Sequence, residues 1–183
     1  MPVALMDIAA QYGPLRSEID AAIAGVLDSG RFILGPNVAA LEAEMSERAD
    51  GRPCVGVANG TDALAIALQA VGVGPGDEVV TSPYTFYATA EAVARLGATP
   101  VFADVDPVDL CIDPDDAVRR ITDRTKAILP VHIFGHPADA SRLRDLADAH
   151  ALPLIEDAAQ AMGAADRGTP VGALGDLATV SFF

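Results

Sequence analysis

The stretch from Cys54 to Phe86, "CVGVANGTDALAIALQAVGVGPGDEVVTSPYTF", decides the fold. Its pattern predicts a short apolar strand, a helix over residues 61–72 and a second apolar strand over residues 77–82. Further apolar runs follow, separated by helical segments: "TPVFADV", "KAILPVHI", "LPLIED" and "ATVSFF". Strands that alternate with helices form a mainly parallel sheet covered by helices on both faces. We therefore predict an α/β fold, a three-layer α/β/α arrangement, for residues 51–183.

The first 50 residues show a different pattern. Two amphipathic helices are expected, "PLRSEIDAAIAGVLDSG" over residues 14–30 and "PNVAALEAEMSERADG" over residues 36–51. Each is opened by a proline and closed near a glycine. No Ser/Gly-rich linker, low-complexity tract or repeat interrupts the chain. We expect residues 1–50 to form a helical segment that packs on the large α/β domain.

Composition and charge exclude several classes of partner. The 183 residues carry a formal net charge of −14, and their Lys and Arg residues are scattered, which disfavours nucleic acid. No apolar stretch approaches the ~20 residues that cross a bilayer, and the N-terminus lacks the pattern of a secretory signal. Cys54 and Cys111 have no ligand-like spacing. We therefore expect a cytoplasmic protein with reduced thiols, without a membrane partner or a metal site.

Polar residues follow several of the predicted strands. "NGTDAL" (residues 59–64) follows the first strand, "SPYTF" (residues 82–86) follows the second, and Asp157 and Gln160 follow the long fifth strand. Ser181 lies near the end of the last strand. Ligands of open parallel sheets bind at the carboxyl ends of the strands. These residues should therefore share one rim of the sheet.

Gly60 and Thr61 lead directly into a helix whose first N–H groups are unpaired. Gly60 frees the backbone and Thr61 offers a hydroxyl, so the turn predicts an anion-binding site. The alternative is that Thr61 is only the N-cap of the helix. Ser181 alone is a weaker signal, because a serine within a strand is usually only a tolerated small residue.

Asp157 follows Glu156 at the tip of an apolar strand. Burying a carboxylate costs several kcal/mol unless a positive partner meets it. A protonated ring nitrogen, as in pyridoxal phosphate, would be such a partner. Phe86 could stack on a flat ring, and Gln160, on about the same helical face as Asp157, could hydrogen-bond a phenolic oxygen. The alternatives are an Asp157 that caps a helical turn, a Phe86 in the core and a solvent-facing Gln160.

Six motifs together resemble one family. "NGTDAL", "GVGPGDEVVTSPYTF", "GATPVFADVDP", "TKAILPVHIFG", "IEDAAQAMGA" and "VSFF" occur in the order and spacing of the DegT/DnrJ/EryC1/StrS sugar aminotransferases, a branch of the fold-type-I pyridoxal phosphate enzymes. The resemblance covers essentially the whole chain. It implies that pyridoxal 5'-phosphate is held at its phosphate by Gly60, Thr61 and Ser181, on its ring face by Phe86, at its ring nitrogen by Asp157 and at its hydroxyl by Gln160.

The resemblance also implies an activity and an assembly. The activity is transfer of an amino group, from glutamate, to a keto nucleotide sugar, with the 3-keto position favoured. The assembly is a homodimer that shares its active site. Transamination needs an amine that forms a Schiff base with the cofactor. Lys126 is expected at the edge opposite the site, and the family's catalytic lysine would fall three positions beyond Phe183. We expect these 183 residues to lack that lysine and the small C-terminal domain, and to be inactive alone.

Other functions compete with this one. The glycines of "GVGPGD" precede a strand, whereas a dinucleotide-binding fingerprint follows one, so a nicotinamide-dependent dehydrogenase is disfavoured. His132 and His136 lack the helical geometry of a zinc pair. Two alternatives stay open: a nucleotide-sugar dehydratase that uses the aminated cofactor, with His in place of the lysine, and a non-enzymatic module that binds a sugar nucleotide or pyridoxal phosphate.

Overall fold

The computed structural model describes residues 6–183. The chain divides into two units, one that ends at Glu44 and one that spans Met45–Phe183. The packing of residues 1–50 on the α/β domain stays a prediction. Within the described range, no helix combines the length and the apolar character that crossing a membrane requires.

Helix α1 spans Ile8–Ser29 and begins six residues earlier than expected. The Asp7 carboxylate caps it by accepting a hydrogen bond from the Ala10 N–H at 2.9 Å. Pro14 therefore lies inside the helix, and the prediction that a proline opens it was wrong. Gly30, in the left-handed conformation with φ +63°, ends the helix where a glycine was expected.

Helix α2 spans Pro36–Arg48 and starts at its proline as predicted. The apolar run "CVGVA" that follows at residues 54–58 was predicted to be the first strand, and the structure assigns no strand there. Val55 is 75% exposed and Val57 is 42% exposed. An apolar run forms a central strand only where its side chains are buried, and these two valines are not.

The remaining strands form a parallel sheet. Hydrogen bonding gives the orders β2-β1-β3 and β4-β7, and single parallel bridges from Ile128 to Leu154 and from Val131 to Asp157 connect β3 to β4. A short antiparallel pair, β5 with β6, is the exception. This confirms a mainly parallel sheet. The strands are β1 (Glu78–Thr81), β2 (Thr99–Phe102), β3 (Thr125–Leu129), β4 (Ile155–Asp157), β5 (Ala165–Asp166), β6 (Thr169–Pro170) and β7 (Leu177–Thr179).

Two apolar cores lie on opposite faces of this sheet. Val79 belongs to the core beneath α3 and α4, and its neighbour Val80 belongs to the core beneath α5 and α6. Successive side chains of a strand point to opposite faces, so each strand serves both cores. The predicted three-layer α/β/α arrangement is confirmed. The helices are α3 (Gly60–Ala70), α4 (Ala88–Arg95), α5 (Pro114–Arg120) and α6 (Ala140–Ala149), with a short 3-10 turn at Ile133–Gly135.

Candidate functional site

A cavity of about 690 Å³ opens at the carboxyl ends of the central strands. Its volume lies in the range of small-molecule sites. The carboxyl ends of parallel strands meet at one edge of a sheet, so residues far apart in sequence converge on its wall. All six residues selected from the sequence line this one cavity: Gly60, Thr61, Phe86, Asp157, Gln160 and Ser181.

The start of α3 forms one wall of the cavity. The N-cap is Asn59, whose Oδ1 accepts a hydrogen bond from the Asp62 N–H at 2.9 Å. The alternative that Thr61 is the N-cap is therefore wrong. Within the part of the chain that the structure describes, neither the Gly60 and Thr61 N–H groups nor the Thr61 hydroxyl has a hydrogen-bond partner. Unpaired donors at a helix start are suited to binding an anion.

Gly60 packs against the segment that follows β7. A Cβ at position 60 would lie 2.8 Å from the Cβ of Ser181 and 2.9 Å from its Oγ. No side chain fits there, so the backbone of α3 approaches Ser181 closely. Ser181 was expected within the last strand, but β7 ends at Thr179 and Ser181 follows it. Its Oγ accepts a hydrogen bond from the Phe183 N–H at 3.1 Å, which leaves the hydroxyl proton available to a ligand.

Asp157 is the last residue of β4 and is 4% exposed. Its Oδ2 accepts a hydrogen bond from the Thr89 hydroxyl at 2.7 Å, and its Oδ1 accepts a longer one from the Ala159 N–H at 3.3 Å. Burial raises the pKa of Asp157 above its ordinary value, although these hydrogen bonds and the nearby His132 act in the opposite direction. Among residues 6–183, no Lys or Arg forms a salt bridge with Asp157. A cationic group on a ligand would supply the missing partner.

Gln160 lies in a turn, not on the helical face that was expected. The Ala161 N–H donates to the Ala158 carbonyl at 3.0 Å, which closes a turn without a following helix. The Gln160 Oε1 accepts a hydrogen bond from the Phe134 N–H at 2.8 Å. With its oxygen held in this way, the amide NH₂ is the end of Gln160 that remains to donate to a ligand.

Phe86 lies at the cavity wall just before α4 and is 74% exposed. The alternative that it is an ordinary core aromatic is therefore wrong. An exposed ring beside a cavity can cover one face of a flat ligand.

Glu156, the neighbour of Asp157, points away from the cavity and is 1% exposed. The Ala138 N–H donates to His132 Nδ1 at 3.1 Å, so His132 Nε2 carries the ring proton and donates it to Glu156 Oε2 at 3.0 Å. Three backbone N–H groups also donate to the Glu156 carboxylate, those of Gly172, Leu174 and Gly175. Burial alone would raise the pKa of Glu156, but hydrogen bonds from His132 and from the Gly172 and Gly175 N–H groups lower it below its ordinary value.

This arrangement accounts for Glu156 and His132 without a ligand. Both nitrogens of His132 are engaged by protein groups, so it is not free to bind a metal. In the described part of the chain, no group of three or more His, Cys, Asp or Glu could hold a metal ion.

Sequence reasoning missed several residues of the cavity wall. The most important is Thr89, which bonds directly to Asp157. Its signal was its position in the helical segment "FYATAEAVARLG", where Thr89, Ala92 and Val93 form the buried side of α4. A threonine among apolar residues at the start of such a helix calls for a polar partner. Asn59, Leu64 and Thr85 lie within the segments that the sequence argument placed at this rim. The wall residues missed are Ala88, Thr89, Val131, Ile133, Ala159, Thr179, Val180, Phe182 and Phe183.

Lys126, the chain's single lysine, is the second residue of β3. The cavity is lined by Val131, beyond the opposite end of that strand. A Cβ on Gly72 would lie 3.6 Å from Lys126 Cε, and Gly72 follows the end of α3 remote from the cavity. An α-helix rises 1.5 Å per residue, so α3 separates its two ends by ~16 Å. Lys126 therefore does not reach the cavity.

Fold and site together define an α/β protein with a cavity that joins a helix start with unpaired N–H groups to a buried carboxylate. The chain belongs to the DegT/DnrJ/EryC1/StrS aminotransferase family, whose model matches residues 14–183.

Named relatives are similar over nearly the whole chain. A Geobacillus stearothermophilus protein described as a pleiotropic regulatory protein is 49% identical over 183 residues, 100% of this chain and 49% of its own length. The dTDP-3-amino-3,4,6-trideoxy-alpha-D-glucose transaminase of Streptomyces venezuelae is 48% identical over 181 residues, 99% of this chain and 48% of its own length. The chain thus spans about half the length of the curated relatives it matches.

A solved structure shows the same fold. The X-ray structure of S. venezuelae DesV in complex with a ketimine intermediate matches with a TM-score of 0.95 at 48% sequence identity. The match covers 99% of this chain and 49% of that one.

Proposed function

We propose that this chain forms the pyridoxal 5'-phosphate-binding part of an enzyme that transfers an amino group, from glutamate, to a 3-keto nucleotide sugar. The observation that carries this function is one cavity that joins the unpaired N–H groups of α3 to the buried carboxylate of Asp157. Pyridoxal phosphate carries an anionic phosphate and a basic ring nitrogen, so it matches both ends. Membership of a pyridoxal phosphate-dependent aminotransferase family supports the cofactor. The name of the S. venezuelae relative supports a 3-aminated sugar.

The phosphate would bind to the Gly60 and Thr61 N–H groups and to the Thr61 and Ser181 hydroxyls. Negative charge at the N-terminus of a helix is stabilised by the unpaired N–H groups and by the helix dipole. The absence of a side chain at Gly60 keeps this wall close to Ser181. Together the three residues would fix the position of the ligand before the reacting groups meet.

Asp157 would hold the ring nitrogen in its protonated form. When bound, the cofactor supplies an electron-withdrawing ring that stabilises negative charge on the α-carbon of the amino acid. A carboxylate beside the ring nitrogen favours the positive form and so maintains that property. Phe86 would cover one ring face, and the Gln160 amide NH₂ would donate to the ring hydroxyl.

The reacting amine would come from outside these 183 residues. Transamination needs an amine that bonds to the cofactor and moves a proton, and Lys126 lies at the far end of β3 from the cavity. These residues alone would therefore not transaminate. The enzyme would act as a homodimer, as the family resemblance implies, and analytical ultracentrifugation tests that state.

A titration with pyridoxal phosphate tests the cofactor assignment. Asp157→Asn keeps the side-chain shape and an oxygen that can accept from Thr89, but it removes the negative charge. The affinity of this variant for pyridoxal phosphate should therefore fall by about 100-fold. Asp123→Asn, at an exposed loop position outside the cavity, is the matched control and should bind as the wild type does.

Unchanged affinity in Asp157→Asn would overturn the cofactor assignment. The amination is tested in an enzyme that includes the reacting amine. There, glutamate should convert the bound cofactor to its amino form, and that form should aminate a 3-keto nucleotide sugar. Conversion by glutamate followed by dehydration of the sugar would overturn the aminotransferase in favour of a dehydratase.

A further inference from the structure

Three oxygen atoms form a chain from the cavity rim to Asp157. Thr85 Oγ1 lies 2.8 Å from Thr89 Oγ1, and Thr89 Oγ1 lies 2.7 Å from Asp157 Oδ2. Thr89 is 1% exposed, whereas Thr85 is half-buried, and all three residues line the cavity. The chain links the start of α4 to the tip of β4, two elements that are far apart in sequence.

Proton counting fixes the direction of these hydrogen bonds. Each hydroxyl has one proton, and an ionised carboxylate can only accept. With Asp157 ionised, Thr89 must therefore donate its proton to Oδ2. Thr89 then has no proton left for Thr85, so Thr85 must donate to Thr89. The order is Thr85 to Thr89 to Asp157.

A threonine in a helix usually satisfies its hydroxyl with a backbone carbonyl one turn earlier. Thr89 instead engages two side chains, one of which belongs to a different element. Its bond commits Oδ2 of Asp157, while Oδ1 accepts only the 3.3 Å bond from Ala159. Each carboxylate oxygen can accept more than one hydrogen bond, and Oδ1 is the more weakly engaged of the two, so it is the oxygen better able to meet a cationic group.

We propose that Thr89, oriented by Thr85, is a positioning residue that holds Asp157 through Oδ2 and leaves Oδ1 to meet the positively charged nitrogen of the ligand ring. This inference rests on the proposed cofactor function. It names the residues that orient the charged contact between Asp157 and the ring nitrogen of the cofactor. Thr89 also stabilises the ionised form of Asp157, because its hydroxyl donates to the carboxylate and opposes the effect of burial.

The test uses the whole protein and two measurements. The first is the pKa of Asp157 without ligand, from carbon NMR of labelled aspartate carboxyl groups, with Asp157→Asn to assign the signal. The second is the affinity for pyridoxal phosphate. Thr89→Val, which loses the hydroxyl at nearly constant shape, should raise the pKa of Asp157 and weaken binding by about tenfold. Thr89→Ser should restore both values to within about twofold of the wild type.

Thr81→Val is the matched control. Thr81 is fully buried in β1 and donates to the Leu129 carbonyl at 2.7 Å, so its loss also removes a buried hydrogen bond. It does not line the cavity, and its variant should leave both the pKa of Asp157 and the affinity unchanged. Equal effects of Thr81→Val and Thr89→Val would show a merely structural role and overturn the inference.

Thr85→Val keeps the inference testable if Thr89→Val does not fold. Its expected effect is a smaller rise in the pKa of Asp157, and an unchanged pKa would overturn the role of the threonine pair.

The outcomes also separate this inference from the proposed function. Loss of affinity in Asp157→Asn with none in Thr89→Val overturns only the inference, whereas unchanged affinity in both overturns the cofactor assignment itself.

Discussion

Glu156 and Asp157 are sequence neighbours whose carboxylates lie in two different environments. Alternation along β4 sends them to opposite faces of the sheet. Glu156 accepts four hydrogen bonds from protein groups, whereas Asp157 faces a cavity and has spare acceptor capacity. The first carboxylate stabilises the fold. The second is available to a ligand.

The role of Glu156 predicts a loss of stability in Glu156→Gln. The amide NH₂ would face donors that now bond to a carboxylate, so the free energy of unfolding should fall by about 2–4 kcal/mol. Urea denaturation followed by circular dichroism measures it. Glu47→Gln, on the exposed side of α2, should change stability by less than about 0.5 kcal/mol. A Glu156→Gln protein as stable as the wild type would contradict the structural role.

At the scale of elements, the close contact between the start of α3 and Ser181, two residues beyond the end of β7, constrains the cavity wall. Gly60→Ala would bring its Cβ to 2.8 Å from Ser181, closer than real Cβ contacts allow. We expect it to lower the free energy of unfolding by about 1–3 kcal/mol and to weaken binding of pyridoxal phosphate.

Gly74→Ala is the control for that variant. Nothing lies within 4 Å of a Cβ at position 74, and the N–H of Gly74 keeps its bond to Asp77 in the variant. Thermal unfolding and a cofactor titration should separate the two alanine variants. Equal melting temperatures and equal affinities of the two variants would show that the cavity wall at Ser181 can shift to accommodate the added methyl group.

Elements with buried, strand-like or amphipathic patterns were predicted correctly from the sequence, as β1 through β4 and α3 through α6 show. The failures have local causes. Asp7 provides a cap that the sequence argument did not weigh, so α1 starts before Pro14. The valines of residues 54–58 have the composition of a strand but not the burial, and burial depends on tertiary packing that a local pattern does not contain.

At the scale of the whole molecule, stability below neutral pH depends on carboxyl groups whose pKa is shifted by folding. The Asp104 N–H and the guanidinium groups of Arg120 and Arg119 lower the pKa of Asp116 to about 2. The pKa of Glu156 is also lowered, whereas burial raises the pKa of Asp157. A carboxyl group whose pKa is lowered by folding stabilises the folded state at pH values above its pKa in the unfolded state. It loses that contribution as the pH falls towards its pKa in the folded state.

We therefore expect Asp116→Asn to flatten the acid side of the stability profile. The difference in unfolding free energy between wild type and variant should be constant near pH 6 and shrink as pH falls from about 4 towards 2. Urea titrations across that range measure it, with Asp123→Asn as the exposed control. A difference that is independent of pH would show that Asp116 acts through shape and not through charge.

The candidate site was predictable as a set because the topology brings its members to one rim. Once a parallel sheet is inferred, the residues after each strand must converge, and all six line one cavity. Thr89 was not predictable in the same way. Its partner lies on another element, and only the packing of α4 against β4 brings the two side chains within 2.7 Å.

The contact between Gly60 and Ser181 also has a consequence for biosynthesis. These residues are far apart in sequence, so the ribosome must deliver the whole stretch from residue 60 to residue 181 before the cavity wall can close. A coenzyme therefore cannot act as a template for the early nascent polypeptide. It can only be captured by a sheet that has already assembled.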